Sequence, residues 1–296
     1  MQEVKIIREI DNKEDISKYH SSIVCNDTLK TLIAMPDACV DLVVTSPPYF
    51  LDKEYENDKT FEGYLENQTK IIKECNRVLK PNGAIYWNVA QTVLEDEIMP
   101  LGAFFYSIFK TPSKVGEFFM KNWIIWHFEG GINCKKRLSG RYENLLWFVK
   151  NKEKYTFNLD DIRIPSKWQL LGDKRCNPNG KNPTDYWYLE MSEEEKEYFM
   201  LDIENSIYEI HRISNNNKKE KTTHPCQFPE ELVRRVIKAS TNEGDLVLDI
   251  FNGSGTTGKI ATELNRNWIG IDKEEKYCKI AKMRIENTLQ KEVRNN

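Results

Sequence analysis

The run Leu246-Val247-Leu248-Asp249-Ile250, followed at once by Asn252-Gly253-Ser254-Gly255-Thr256-Thr257-Gly258, leaves this chain few folds to choose from. A short apolar run bounded by turn residues reads as a buried strand. The glycines after it permit a tight turn and a close approach of backbone to a ligand. A helix pattern then starts at Thr256. Parallel strands need a helical crossover, so a strand turning directly into a helix is the unit of a parallel sheet. The same alternation recurs along the chain. Strands are expected at 40–44, 84–89, 122–127, 144–149, 245–250 and 267–271, and helices at about 60–79, 229–241, 256–265 and 274–289. The fold class is therefore α/β, a mostly parallel, doubly wound sheet with helices on both faces.

Two of the helices carry their own signals. In the first, Phe61, Tyr64, Leu65, Ile71, Ile72, Cys75, Val78 and Leu79 form an apolar face, and Lys80-Pro81-Asn82-Gly83 ends it. In the second, Pro229 precedes Glu230 and Glu231, and the helix dipole favours acids in the first turn.

A second strand ends in an unusual loop. Asp41-Leu42-Val43-Val44 reads as a buried strand, and Thr45-Ser46-Pro47-Pro48-Tyr49-Phe50 comes directly after it. Two prolines cannot extend a central ladder, and they stiffen the loop that leaves the strand. The loop offers the Ser46 hydroxyl, backbone carbonyls and an aromatic ring. That set suits a planar base bearing an amino group, with acceptors for the amine and Tyr49 stacked on the ring. A chance turn would look the same in isolation.

Both motifs stand at strand carboxyl ends, where open α/β sheets bind ligands, so one cleft could hold both. Gly253, Gly255 and Gly258 fit the spacing GxGxxG, and Asp272 stands about 20 residues on, placed to hold ribose hydroxyls. NAD and S-adenosylmethionine both carry adenosine, so this motif alone leaves open an NAD-dependent oxidoreductase, as well as a bare turn.

Taken together, the motifs resemble those of the amino DNA methyltransferases. In that family a Ser/Asp/Asn-Pro-Pro-Tyr/Phe motif carries catalysis and an Asp-x-Phe-x-Gly-x-Gly motif binds S-adenosylmethionine. Here Ser46, Pro47, Pro48 and Tyr49 match the first, and Asp249, Phe251, Gly253 and Gly255 match the second. The catalytic motif comes first, which resembles the β-class order. Asn26-Asp27, the strand pair around 142–158 and the run His224 to Leu232 also look like the family, over roughly residues 22–160 and 222–290.

The resemblance implies a Rossmann-like methyltransferase fold, circularly permuted. It implies a catalytic half over 1–160, a target-recognition insertion over 161–221 and a cofactor-binding half over 222–296. Cofactor contacts are expected from Asp27, Asp249, Phe251, Gly253, Ser254, Gly255, Thr256, Thr257 and Asp272. Asp27 would meet the adenine, and Phe251 would face the cofactor cation. The substrate implied is duplex DNA, with the target base flipped into the cleft. A serine before Pro-Pro leans the expectation to cytosine N4, with adenine N6 as the alternative. RNA as acceptor, and a DNA-binding protein that has lost catalysis, are further readings. A companion restriction endonuclease fits the family, and the state expected is monomer or homodimer.

Charge qualifies the DNA reading. The net charge is −3 over 296 residues, which gives no global attraction to phosphates. Residues 131–181, however, hold twelve Lys/Arg against five Asp/Glu. Lys135, Lys136, Arg137 and Arg141 are the expected DNA contacts, against the plainer reading of a solvated face. The stretch Glu190 to Glu209 is acidic and is expected to face solvent or to support the fold. Seven scattered cysteines without a CxxC, and only four histidines, predict free thiols, a cytoplasmic setting and no metal site. No membrane span or signal-peptide pattern is expected. Pro225-Cys226 is the one Pro-Cys pair, and its place ahead of a helix favours a structural role over that of a carbon-5 methylation nucleophile.

Overall fold

The computed structural model describes residues 3–11, 14–51, 60–128, 133–164, 166–187, 220–224 and 226–295. Eleven strands are present among them: β1 (Lys5–Ile7), β2 (Ser22–Cys25), β3 (Val40–Thr45), β4 (Leu79–Val89), β5 (Thr92–Leu94), β6 (Glu97–Met99), β7 (Phe119–His127), β8 (Tyr142–Val149), β9 (Tyr186–Trp187), β10 (Leu246–Asp249) and β11 (Asn267–Asp272). The six longer helices are α1 (Thr28–Ala34), α2 (Phe61–Val78), α3 (Leu101–Phe109), α4 (Glu230–Ser240), α5 (Thr256–Glu263) and α6 (Glu275–Asn295). Nine strands form one sheet in the order β1-β2-β11-β10-β3-β4-β8-β7-β9, and β5 and β6 make a separate hairpin. From β1 to β4 in that order every pairing is parallel. The pairs β4–β8 and β7–β8 are antiparallel. This is the Rossmann-like α/β arrangement expected, with an antiparallel flank.

Every residue of β3 is buried, which a central strand covered on both faces requires. One core unites Leu32 of α1, Ile71, Ile72 and Cys75 of α2, and Phe105 and Phe109 of α3 against one face. The other unites Leu232 and Val236 of α4, Ile260 of α5, and Ala281 and Ile285 of α6 against the opposite face. The apolar stripe foreseen in α2 is the one that packs, Tyr64, Ile71, Ile72, Cys75 and Val78 being buried, with Gln68 the one buried residue of the helix not foreseen.

Boundaries differ at one instructive place. Lys80-Pro81-Asn82-Gly83 ends α2 as expected but then lies inside β4, which begins at Leu79. Val40 pairs with Leu79 and Leu42 with Ala84, so the four residues form an irregularity in the β3–β4 ladder. A proline is tolerated there because it stands outside the regular pairing. Residues 186–187, within the segment read as an insertion, pair with Ile125 and Trp126 and widen the main sheet. The acidic stretch from Glu190 to Glu209 lies outside the described residues.

The consequence for function lies at the centre of the sheet. Strands β3 and β10 are parallel neighbours, with Leu42 opposite Val247 and Val43 opposite Leu248. Two loops far apart along the chain therefore leave the same sheet edge side by side.

Candidate active site

The loop after β10 is built around Asp249. Its Oδ1 accepts hydrogen bonds from Thr45 Oγ1 at 2.9 Å and from Phe251 N at 3.2 Å, and its Oδ2 from Thr257 Oγ1 at 2.6 Å. Burial raises its carboxyl to about 6, against the pull of those donors. Asp249 thus ties the end of β3 to the start of α5. Gly255 has φ of 76° and caps α5. A methyl group there would lie 2.7 Å from Ala281 Cβ, so both conformation and packing require glycine. Gly253 has φ of 48°, and a methyl there would meet the His224 ring at 2.9 Å.

Asp272, at the end of β11, faces this turn. Its Oδ2 accepts from Gly253 N and its Oδ1 from Glu274 N, both at 2.8 Å. Burial is the main cause that raises its carboxyl to about 6. Asp27 caps α1 through Lys30 N at 2.8 Å. Beneath the turn, Arg284 donates to Ser254 Oγ and Thr256 Oγ1 at 3.1 and 2.8 Å and pairs with Glu230 at 2.6 Å.

The loop after β3 is locked by a hydrogen-bond network. Ser46 Oγ donates to Tyr49 Oη at 2.8 Å, with the Asn88 carbonyl oxygen also in reach at 3.2 Å. Tyr49 Oη donates to Glu143 Oε2 at 2.8 Å. Asn88 Nδ2 donates to Tyr49 Oη at 2.8 Å and to Glu143 Oε2 at 2.6 Å. Burial, followed by the charge of Glu143, raises the Tyr49 phenol well above its usual range, so it keeps its proton. Tyr64 of α2 donates to the Pro48 carbonyl at 2.6 Å and Thr92 to that of Phe50 at 2.9 Å. Phe50 itself has φ of 55°, an uncommon conformation for a bulky residue, and its ring packs on Phe61 and Tyr64.

One cleft of about 280 Å³ joins the two loops. Ser46, Pro47, Pro48 and Tyr49 line one part, and Asp27, Phe251, Gly253 and Asp272 line another. Asp249, Ser254 and Thr256 also contribute to its wall. Gly255 and Thr257 do not reach the lining: the first packs on Ala281, and the second spends its hydroxyl on Asp249. Lys135, Lys136 and Arg137 stand exposed on the loop between β7 and β8, and Arg141 is half-buried, bonded to Asn133 and Gly140. That loop leaves the edge of the sheet where β4 ends, since Val89 pairs with Asn144.

The cleft suits a cationic adenosine-bearing cofactor. The carboxylates of Asp27, Asp249, Asp272, Glu274 and Glu143 outnumber the single lysine in its lining, Lys273. His224 also lines it, and burial lowers its imidazole to about 4, so it adds no charge near neutrality. Asn252 is 4% exposed, and neither its Nδ2 nor its Oδ1 finds a protein partner among the described residues. Buried amides are normally paired, and this one instead lies closely packed beside Gly270 of β11. Phe251 and Tyr277 offer aromatic surface to an adenine or a sulfonium.

Sequence reasoning did not pick out Glu143, Asn88 or Asn252 for the site. Glu143 stood only in a strand pattern and in the charge count. Its role appears only when β8 pairs with β4 and sets Asn144 opposite Val89.

Comparison with known proteins bears on the identity. The family described as DNA methylase matches residues 40–283. The Type II methyltransferase M.BglII of Bacillus subtilis is 38% identical over 274 residues, which cover 89% of this chain and 69% of that protein. Among solved structures, the cytosine-N4-specific PvuII DNA methyltransferase superposes with a TM-score of 0.64 at 21% identity, covering 90% of each chain. The protein TTHA0409 of Thermus thermophilus, solved with S-adenosyl-L-methionine, gives 0.56 at 22% identity, over 97% of this chain and 96% of that one. At such identities these two structures speak for the fold and not for the target base. Nothing in these matches supports the NAD-dependent oxidoreductase. The chain belongs to the DNA methylase family and is an S-adenosylmethionine-dependent DNA methyltransferase of the cytosine-N4 or adenine-N6 class.

Proposed function

We propose that this enzyme methylates cytosine N4 at a specific duplex site, and that the target base is flipped into the cleft. The observation that carries the reading is the serine at the head of the catalytic loop, set beside the cofactor turn by the β3–β10 pairing. A base inside a duplex cannot reach a buried cleft, so it must leave the stack.

The exocyclic amine is a poor nucleophile because its lone pair is delocalised into the ring. Ser46 Oγ and the Pro47 carbonyl accept its two hydrogens and turn the lone pair towards the methyl group, and one of those hydrogens leaves as a proton to water once the new N–C bond has formed. Tyr49 stacks on the ring. S-adenosylmethionine supplies an electrophilic methyl on a positively charged sulfur. Asp272 holds the ribose hydroxyls, Asp27 the adenine, and Phe251 faces the cation. Alignment in the cleft then contributes much of the rate. Asp249, Gly255 and Thr257 shape the turn from beneath. The basic loop with Lys135, Lys136, Arg137 and Arg141 binds phosphates, and residues 161–221 with it read the sequence. A restriction endonuclease of the same site is the partner this activity implies.

The test is a digest. Unmethylated genomic DNA incubated with the enzyme and S-adenosylmethionine is reduced to nucleosides and analysed by mass spectrometry. N4-methylcytosine is expected. N6-methyladenine would keep the site and overturn the base assignment, and an RNA acceptor in place of DNA would overturn the substrate.

A further inference from the structure

We propose that Glu143 is a positioning residue that turns the Ser46 hydroxyl into a pure hydrogen-bond acceptor, acting through Tyr49 and Asn88. The inference rests on the amino-group reading above, though not on which base carries the amine. An aspartate or asparagine oxygen at the head of this loop accepts without adjustment. A serine hydroxyl is different, because it carries one O–H as well as lone pairs. Were that O–H donated to the target amine, it would engage the lone pair that must form the new N–C bond. A serine enzyme therefore needs something to hold the Ser46 hydrogen away from the amine.

The network does this by elimination. A carboxylate only accepts, so the Tyr49 proton must point at Glu143 Oε2, 2.8 Å away. Asn88 must also turn its NH2 towards Glu143, because its carbonyl oxygen there would face a negative charge. The NH2 then donates to Glu143 Oε2 at 2.6 Å and to Tyr49 Oη at 2.8 Å. With its own hydrogen committed, Tyr49 Oη can only accept from Ser46, at 2.8 Å. The alternative acceptor for the Ser46 hydrogen is the Asn88 backbone carbonyl at 3.2 Å, which is also a protein group. Either way the hydrogen is spent within the protein, and Ser46 Oγ offers lone pairs to a ligand. Asn88 Oδ1, which this orientation turns away from Glu143, is buried without a protein partner among the described residues. Such an unpaired acceptor is costly, and the constraint from Glu143 accounts for it.

The experiment measures single-turnover methyl transfer at saturating DNA and cofactor, with cofactor affinity measured by calorimetry on the same preparations. Glu143→Leu removes the acceptor and is expected to slow transfer about tenfold or more, the scale of one lost charge-assisted hydrogen bond. Glu143→Gln can still accept from both Tyr49 and Asn88 through its amide oxygen, and should stay within about threefold of wild type on the same scale. Tyr49→Phe should slow transfer as Glu143→Leu does, and combining the two should add little. In a Ser46→Asn background, where no hydroxyl needs orienting, Glu143→Leu should cost less than about threefold. Cofactor affinity should hold throughout. Equal slowing by Glu143→Leu in the serine and asparagine backgrounds would overturn the proposal, as would full multiplication with Tyr49→Phe. Collapse of cofactor affinity in Glu143→Leu would also overturn it, because Glu143 would then support the cleft and not the serine. The nucleoside digest of the wild type tests the amino-group reading separately.

Discussion

Asp272 carries a consequence that can be measured at the scale of one residue. Its carboxyl sits at about 6, raised chiefly by burial. Only the ionised form is a full acceptor for ribose hydroxyls, and that form prevails above pH 6 and is lost below it. Cofactor affinity should therefore be level from pH 8 to about 7 and weaken about tenfold per unit below the raised value. Calorimetric titration between pH 8 and 5 reads this directly. Asp272→Asn should start weaker and show a much flatter dependence. A wild-type profile that stays flat to pH 5 would mean that the carboxylate does not touch the cofactor. Asp249 sits equally high but is fully engaged by Thr45, Thr257 and Phe251. At this scale the sequence pointed to Ser46, Tyr49 and Asp272, which the fold brings to one cleft, because their motifs are contiguous and chemically distinctive. It was silent on Glu143, whose partners Tyr49 and Asn88 lie 94 and 55 residues away along the chain. Only a strand pairing brings them together.

Among the elements, the glycine turn and the basic loop make separate predictions. Gly255 combines φ of 76° with a Cβ position only 3.0 Å from the Ala281 backbone. Neither strain can be relieved by a side-chain rotation. Gly255→Ala should destabilise the fold by about 2 kcal/mol or more, read as a shifted denaturation midpoint. Gly172 also has positive φ but lies in open space, and Gly172→Ala should cost about 1 kcal/mol from the backbone alone. On the loop between β7 and β8, replacing Lys135, Lys136 and Arg137 together by alanine should weaken DNA binding. It should also reduce the salt dependence of log K by up to about three, near one for each phosphate no longer neutralised. Transfer at saturating DNA should change little. An unchanged salt slope would make the loop an ordinary solvated face. The main helices and sheet strands were legible from apolar periodicity, α2 most clearly. The start of β4 was not, because Lys80-Pro81-Asn82-Gly83 has a turn composition and is held in the sheet by the pairings on either side of it. The strand β1, the helix α1, the hairpin of β5 and β6, the helix α3 and the two-residue strand β9 were also missed. The hairpin strands and β9 are too short to show a period. Helix α3 is apolar over too much of its surface to alternate with polar residues.

Across the whole molecule, one topological fact carries the function. Strands from opposite ends of the chain, β3 and β10, lie side by side and release their loops at the same edge. Thr45 and Asp249 then join the loops through a buried hydrogen bond. We propose the β3 loop for the base and the β10 loop, with Asp272, for the cofactor. The order of the motifs along the chain indicated a permuted sheet, and the adjacency of the two strands in space is what makes the permutation harmless. The most direct measurement of this division compares Ser46→Ala with Asp272→Ala, each for cofactor dissociation constant and for single-turnover transfer to duplex DNA. Ser46→Ala is predicted to lower transfer about a hundredfold, within the range of one lost positioning interaction in a transition state, while affinity stays within about twofold. Asp272→Ala should weaken cofactor binding about tenfold or more, with transfer largely recovered at saturating cofactor. If Ser46→Ala lost cofactor affinity as Asp272→Ala does, the two loops would not divide the work, and the assignment of the base to the β3 loop would be wrong.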